Sequence, residues 1–223
     1  PTLTREMGID PSTAALTVSA ATGALAVCVV PASILSEKFG RGRVLVISAL
    51  AATALGLTLP LAQSIEQLVV LRSLQGALLA GTPAVAMAWL SEELDERDLA
   101  GAMGLYIAGT SVGGLTGRLI PAFMLEVTGW RWALATSAAV SLALAVATAI
   151  RLPEQRNFRP KASIRPGAEV RAVTGHLRNP RLVGLVATAF IAMGVFVSMY
   201  NFFGFRAIND FGLAPSLAGL TYV

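Results

Sequence analysis

Charged residues are scarce in this sequence. Asp, Glu, Lys and Arg make up 13% of its 223 residues, whereas hydrophobic residues make up 55% and the mean hydropathy is +0.68. An ordinary soluble domain carries about a quarter charged residues. The only cysteine, Cys28, excludes an intrachain disulfide, and one cysteine with one histidine excludes a dense Cys/His metal site. A net charge of +4 on so little polar surface also argues against nucleic-acid binding. The composition indicates a membrane protein.

Acidic residues are missing from the interior of the long apolar runs. A membrane-embedded enzyme would need paired carboxylates, a Ser/His pair or a metal cluster at membrane depth. The only histidine, His176, lies in a polar connection and is interpreted as a solvated loop residue. We therefore expect no enzymatic activity and no cofactor.

Long uncharged runs predict the architecture, because roughly 20 helical residues cross the hydrocarbon core of a bilayer. Their hydrophobicity is continuous rather than alternating, which favours helices over barrel strands. Two of the runs contain a single arginine, Arg72 or Arg118, and a seventh run, Phe211–Val223, reaches the end of the sequence. The six complete runs are Pro11–Ser36, Val44–Ile65, Gln67–Ser91, Leu99–Leu125, Trp132–Ile150 and Leu182–Phe205. The sequence thus predicts an all-α membrane protein, and its start at Pro1 without Met predicts a fragment.

Basic residues predict the orientation. The connections after the first, third and fifth runs contain 12 Lys and Arg, and the other segments outside the runs contain 3. The positive-inside rule places the first set in the cytoplasm. The longest connection, Leu152–Pro180, holds four prolines and is predicted to be a cytoplasmic linker. The predicted domains are a first bundle over 1–152, the linker over 153–180 and the start of a second bundle over 181–223.

The stretch SILSEKFGRGR, residues 33–43, concentrates charge between the first two runs. It resembles the signature G-x-x-x-D-[RK]-x-G-R-[RK]-[RK] between helices 2 and 3 of the major facilitator superfamily, although Ser33 and Gly42 depart from it. The residues that match in kind are Glu37, Lys38, Gly40, Arg41 and Arg43. The resemblance implies that they form a latch favouring the outward-facing state. Taken alone, the basic residues are also interpretable as topology anchors.

Other segments extend the resemblance. LRSLQGALLAG (71–81) is similar to the family's fourth helix, and TGWRWALA (128–135) to the turn before its sixth. The resemblance implies a helical bundle with helices 2–7 and part of helix 8 of an expected twelve. GGLTGR (113–118), LPEQRNF (152–158) and YNFFGFR (200–206) resemble a bacterial drug/proton-antiporter-like branch near the arabinose-efflux-like permeases.

Several polar side chains within the apolar runs are candidates for the substrate pathway or for coupling. Arg72 and Gln75 are three residues apart and share a helix face, which the resemblance places on the central cavity. The alternative is that Arg72 snorkels to the headgroups. Arg118 is assigned either a substrate or conformational role or a packing role. Tyr200 and Asn201 offer stacking and hydrogen bonds to a small ligand, or belong to an interfacial aromatic belt.

Glycines are concentrated in the run that contains Arg118. Gly109, Gly113 and Gly117 form a double G-x-x-x-G pattern, with Gly114 beside it, and such patterns let another helix approach closely. The pattern lacks the Lys-Ser/Thr pair of a phosphate-binding loop. We expect these glycines to act in helix packing and flexing.

The resemblance implies a secondary active transporter, with proton-coupled efflux of a small organic molecule by alternating access. Its expected partners are the lipid bilayer, the substrate and protons, and we expect a monomer in the bacterial inner membrane. Gly113-Gly114 replaces the G-P pair that antiporters of the family often carry, which keeps proton-coupled uptake open. A non-transporting membrane receptor or scaffold is the alternative from another class.

Overall fold

The computed structural model describes residues 11–159, 171, 174–175 and 178–213, and these contain helices and no β-strand. The chain divides into two compact units, residues 1–161 and 162–223. The described part of the first unit contains α1 (Pro11–Phe39), α2 (Arg41–Gly56), α3 (Ile65–Leu79), α4 (Pro83–Glu93), α5 (Glu96–Val127) and α6 (Trp130–Arg151), with a 3-10 turn at Leu59–Leu61. In the second unit, α7 spans Pro180–Asn209.

Six segments of the described residues are long and apolar enough to cross a membrane. They are Thr13–Phe39, Arg41–Leu61, Ile65–Glu93, Glu96–Val127, Trp130–Arg151 and Pro180–Met199. The prediction of an all-α protein with six complete spans is confirmed. The predicted seventh run lies outside the described residues beyond Leu213.

The third span is not one continuous helix, although its apolar run predicts a single span. Residues 80–82 separate α3 from α4, and Pro83 is the first residue of α4. Proline has no backbone N–H to donate, and its ring clashes with the preceding turn, so it favours a new helix start over a helix interior. At the break, Gly81 lies so close to Ser48 of α2 that a side chain at residue 81 would overlap the serine.

Small side chains dominate the buried interior of the first unit. Ala52, Ala80 and Ala133 are at most 3% exposed, whereas Leu105 and Ile150 are 77% and 78% exposed. Lipid tails are as apolar as leucine, so large apolar side chains gain little by leaving the bilayer, and small residues let helix backbones approach. Helices α1 and α3 approach closely where Gly76 faces the backbone of Ala21.

Helix ends gather at two opposite ends of this unit. We call the end where α1, α4 and α6 finish and α2 begins the charged end, because Glu37, Arg41 and Glu92 meet there. At the opposite end, Arg131 donates hydrogen bonds to the carbonyls of Pro60 and Ala62, at 3.1 and 3.3 Å. These contacts join the start of α6 to the 3-10 turn after α2.

Candidate functional site

Arg41 is the centre of a polar network at the charged end. It is the first residue of α2, and it is 8% exposed. Its Nε and Nη2 donate to Oε1 of Glu92 at 3.0 and 2.9 Å, and its Nη1 donates to Oγ of Ser36 at 2.7 Å and to the carbonyl of Ser33 at 3.1 Å. Glu37 lies 3.6 Å from Nη2. The guanidinium therefore connects the end of α1, the start of α2 and the end of α4.

The segment after α6 closes over the same end. The backbone N–H groups of Arg156 and Asn157 donate to the carboxylate of Glu93, at 3.0 to 3.1 Å. The Asn157 side chain also donates to the carbonyl of Glu92 at 3.1 Å. The hydrogen bonds to the Glu93 carboxylate are charge-assisted, and such bonds are stronger than bonds between neutral groups. Residues 156–157 are thereby held on the last turn of α4.

A side chain from this segment accepts a hydrogen bond from a backbone N–H group in the first turn of α2. Helix starts leave N–H groups without an intrahelical acceptor, and the N–H of Gly42 donates to Oε1 of Gln155 at 2.9 Å. Gly40 links α1 to α2 with a φ of 101°, a conformation that residues with a side chain rarely adopt. A Cβ at Gly40 would lie 3.2 Å from Oε1 of Gln155. The glycine therefore serves both the reversal and the close approach of Gln155.

The structure divides the predicted latch residues into two groups. Glu37 and Arg41 belong to the network, and Gly40 shapes the turn. Lys38 and Arg43 are exposed, and neither forms an ion pair with any other residue in the described part of the chain. Their shared role as a latch stays a prediction.

Sequence reasoning missed the partners of Arg41 and Gly42. No role is predicted for Glu92 or Glu93 from the sequence, and Gln155 lies in the predicted linker over 153–180. Glu92 is 51 residues from Arg41, and Gln155 is 113 residues from Gly42. A usable signal was the position of Glu92, because predicted antiparallel spans bring the end of the third span to the same side as Arg41.

Arg72 and Gln75 contact each other within the third span. Nη1 of Arg72 donates to Oε1 of Gln75 at 3.2 Å, and Nε2 of Gln75 donates to the carbonyl of Ala52 in α2 at 3.2 Å. Both side chains are half-buried. The contact agrees with the expectation that Arg72 and Gln75 share one helix face. The Ala52 carbonyl holds the Gln75 amide so that the amide oxygen points to the Arg72 guanidinium.

Arg118 and the predicted glycines lie in α5. An added Cβ at Gly109, Gly113, Gly114 or Gly117 would meet no heavy atom within 4 Å, so no described residue of another helix packs against them. Arg118 is half-buried. Their packing and substrate roles stay predictions. Tyr200 and Asn201 fall within the backbone of α7, and their side chains, like His176, lie outside the described residues.

Comparison with known proteins decides the family. A sequence model of the Major Facilitator Superfamily matches residues 1–223. The chain belongs to this superfamily. Its membrane-spanning helices are therefore those of a multi-pass membrane protein.

Relatives in the superfamily are similar along most of this chain. An uncharacterised MFS-type transporter, YybF of Bacillus subtilis, is 38% identical over 199 residues, which cover 89% of this chain and 49% of the relative. The inner membrane transport protein YnfM of Escherichia coli is 35% identical over 221 residues, which cover 99% of this chain and 53% of the relative. The 4-hydroxybenzoate transporter PcaK of Pseudomonas putida is 28% identical over 222 residues, which cover all of this chain and 49% of the relative. The chain spans about half the length of these relatives.

Proposed function

We propose that this protein is a secondary active transporter that exports a small organic molecule by alternating access, coupled to protons. We place it in the bacterial inner membrane, in the antiporter-like branch near the arabinose-efflux-like permeases. The observation that carries the proposal is the polar pair Arg72–Gln75 inside an apolar span. Ionisable residues within spans are costly in lipid and mark substrate or ion pathways.

The chemistry of Arg72 favours a substrate with carboxylate or carbonyl oxygens. Guanidinium stays charged at any physiological pH and offers five N–H donors in a planar fork that matches a carboxylate. Among the described residues, Gln75 is its one hydrogen-bond acceptor, which leaves other donors for a ligand. Two relatives are named for molecules of this kind, a 4-hydroxybenzoate transporter and a probable 4-methylmuconolactone transporter. We extend that substrate class to this protein.

The polar network at the charged end supports movement of the first unit as one body. Arg41 and Glu93 tie together the ends of α1, α4 and the segment after α6 with the start of α2. A bundle tied at one end resists internal shear, as rocking between two access states requires. We assign this end to the cytoplasm from its basic residues, and we assign Glu37, Lys38, Gly40, Arg41 and Arg43 the latch role.

Proton coupling requires a carboxylate whose pKa changes with access to either side. The described Asp and Glu residues of the spans lie near helix ends. We therefore assign coupling to a group outside the described spans. Uptake, the alternative direction, is favoured by Gly113-Gly114, which replaces the G-P pair of many antiporters in α5.

Cellular accumulation of labelled 4-hydroxybenzoate tests the proposal. Cells that express the full-length protein are expected to accumulate less label than empty cells, and a protonophore should abolish the difference. Arg72→Gln should reduce transport by about tenfold or more, because a hydrogen bond to a charged group contributes about 1.5–3 kcal/mol. Arg72→Lys keeps the positive charge but lacks the planar fork of donors, so its transport activity should lie between those of wild type and Arg72→Gln. Arg97→Gln removes an exposed arginine outside the pair and should transport normally.

Each contrary outcome has a definite meaning. Greater accumulation in expressing cells, lost with the protonophore, would replace export by uptake. Transport that depends on ATP and survives the protonophore would overturn proton coupling. If the protein inserts correctly and changes the accumulation of no small aromatic acid, the alternative of a membrane receptor or scaffold would be favoured.

A further inference from the structure

A cavity of about 760 Å³ opens at the charged end, and the transport function proposed above assigns it no ligand. It lies between the turn joining α1 to α2 and the end of α6. Its size is within the usual range of about 300–1,000 Å³ for small-molecule sites. The charged side chains in its wall are Lys38, Arg43 and Glu154. Two cations and one carboxylate give the cavity a net positive charge.

The two basic side chains are available to a ligand. Arg41, which lies between them in sequence, is taken up by Glu92 and Ser36, whereas Lys38 and Arg43 donate to no carboxylate in the described part of the chain. The Lys38 ammonium lies 5.4 Å from the centre of the Phe39 ring, and this ring is itself 53% exposed. The loop therefore directs one cation inward and two outward.

The opposite wall of the cavity is apolar and continues along the membrane-spanning helices. Val46 and Ile47 of α2 and Ala149 of α6 line it. Ile47 is one turn beyond Arg43 on the same helix, and it is 65% exposed. Val146, three residues before Ala149 and on the same face of α6, is 41% exposed. A basic mouth is thus followed by an exposed apolar strip that points into the bilayer core.

We propose that this cavity holds the headgroup of an anionic phospholipid, with the phosphate between Lys38 and Arg43 and an acyl chain along Ile47. The position at the end of two spans is the depth of lipid headgroups. Basic residues there attract anionic lipid, and the net positive charge of the wall favours it over a zwitterionic one. A soluble phosphate would gain nothing from the apolar strip, so the lipid is the occupant that uses both walls.

Spin-labelled lipids test this with the full-length protein in phosphatidylcholine vesicles. The immobilised fraction is measured for labelled phosphatidylglycerol and labelled phosphatidylcholine, and their ratio gives the selectivity. Lys38→Gln/Arg43→Gln should reduce the selectivity on the order of tenfold. Arg97→Gln/Arg156→Gln removes two exposed charges from the same end, outside the cavity, and should change it less than twofold. Glu154→Gln should raise the selectivity, because it removes the opposing charge.

Several outcomes would overturn the proposal. Equal losses in the two double variants would mean that only the surface potential attracts lipid. Equal binding of phosphatidylethanolamine and phosphatidylglycerol would refute selection of a net negative headgroup. Displacement of the labelled lipid by millimolar inorganic phosphate would indicate a site for soluble anions. If Lys38→Gln/Arg43→Gln does not fold, two other variants test the proposal. The charge-preserving Lys38→Arg/Arg43→Lys must keep the selectivity, and Glu154→Gln must raise it.

Discussion

Removal of the Arg41 side chain is expected to destabilise the first unit more than removal of any exposed basic side chain nearby. Arg41→Ala deletes the ion pair with Glu92 and removes the hydrogen bonds that Arg41 donates to the Ser36 hydroxyl and to the Ser33 carbonyl. Arg43→Ala is the matched control, because Arg43 lies in the same turn of α2 but is exposed. Glu92→Gln removes the other half of the pair.

The expected magnitude follows from how deeply each partner is buried. The side chains of Arg41 and Glu92 are 10% and 34% exposed. An exposed pair contributes about 0–1 kcal/mol, and breaking a buried one costs about 3–5 kcal/mol, so this half-buried pair should show a coupling energy of about 2 kcal/mol. The lost hydrogen bonds to serine add about 1 kcal/mol each. Arg41→Ala should therefore lower the free energy of unfolding by about 3–4 kcal/mol, and Arg43→Ala by less than about 0.5 kcal/mol.

A double-mutant cycle on the full-length protein provides the measurement. Wild type, Arg41→Ala, Glu92→Gln and the double variant are unfolded with SDS in mixed micelles, and the coupling energy is the departure from additivity. A coupling energy below about 0.5 kcal/mol would refute the reasoning, since the pair would then behave as an exposed one. So would equal destabilisation by Arg41→Ala and Arg43→Ala.

Two further predictions concern glycines. Gly76→Ala should cost about 2 kcal/mol or more in the same unfolding assay, because its Cβ would overlap the backbone of Ala21, whereas Gly23→Ala, with open space in α1, should change stability by less than about 0.5 kcal/mol. Equal effects would contradict the close helix contact. Gly40→Ala should lower stability by about 1–2 kcal/mol, because residue 40 has a φ of 101° and its Cβ would press on Gln155. An unchanged unfolding midpoint would show that the turn relaxes easily.

The fold was largely predictable from the sequence because the bilayer imposes a length on each span. Uncharged runs gave the number of spans and their helical type, and the connections between them fell at charged or turn residues such as Gly40 and Gly129. The break at residues 80–82 was not predicted, because hydropathy does not register a loss of backbone hydrogen bonds. Pro83 was its local signal, since proline is favoured in the first turn of a helix.

For each contact of the candidate site, the sequence indicated one partner residue but not the other. Glu37 and Arg41 could be recognised from their spacing, but Glu92 and Gln155 come from remote elements whose register depends on packing. Close helix approach was predicted from the glycine pattern of α5, and the role of those glycines stays a prediction. In the described part of the chain, Gly76 and Gly81 lie at close contacts with another helix, and no G-x-x-x-G pattern marks these two positions.

The long sequence interval between Arg41 and Glu92 sets an order on biogenesis. The two residues are 51 positions apart, so at about 5–20 residues per second the arginine waits roughly 3 to 10 s for its carboxylate to be synthesised. During that interval Glu37, four residues away and 3.6 Å from the guanidinium in the finished fold, is the acidic group at hand. The contact between Arg41 and Glu92 can therefore form only after the third span has been synthesised.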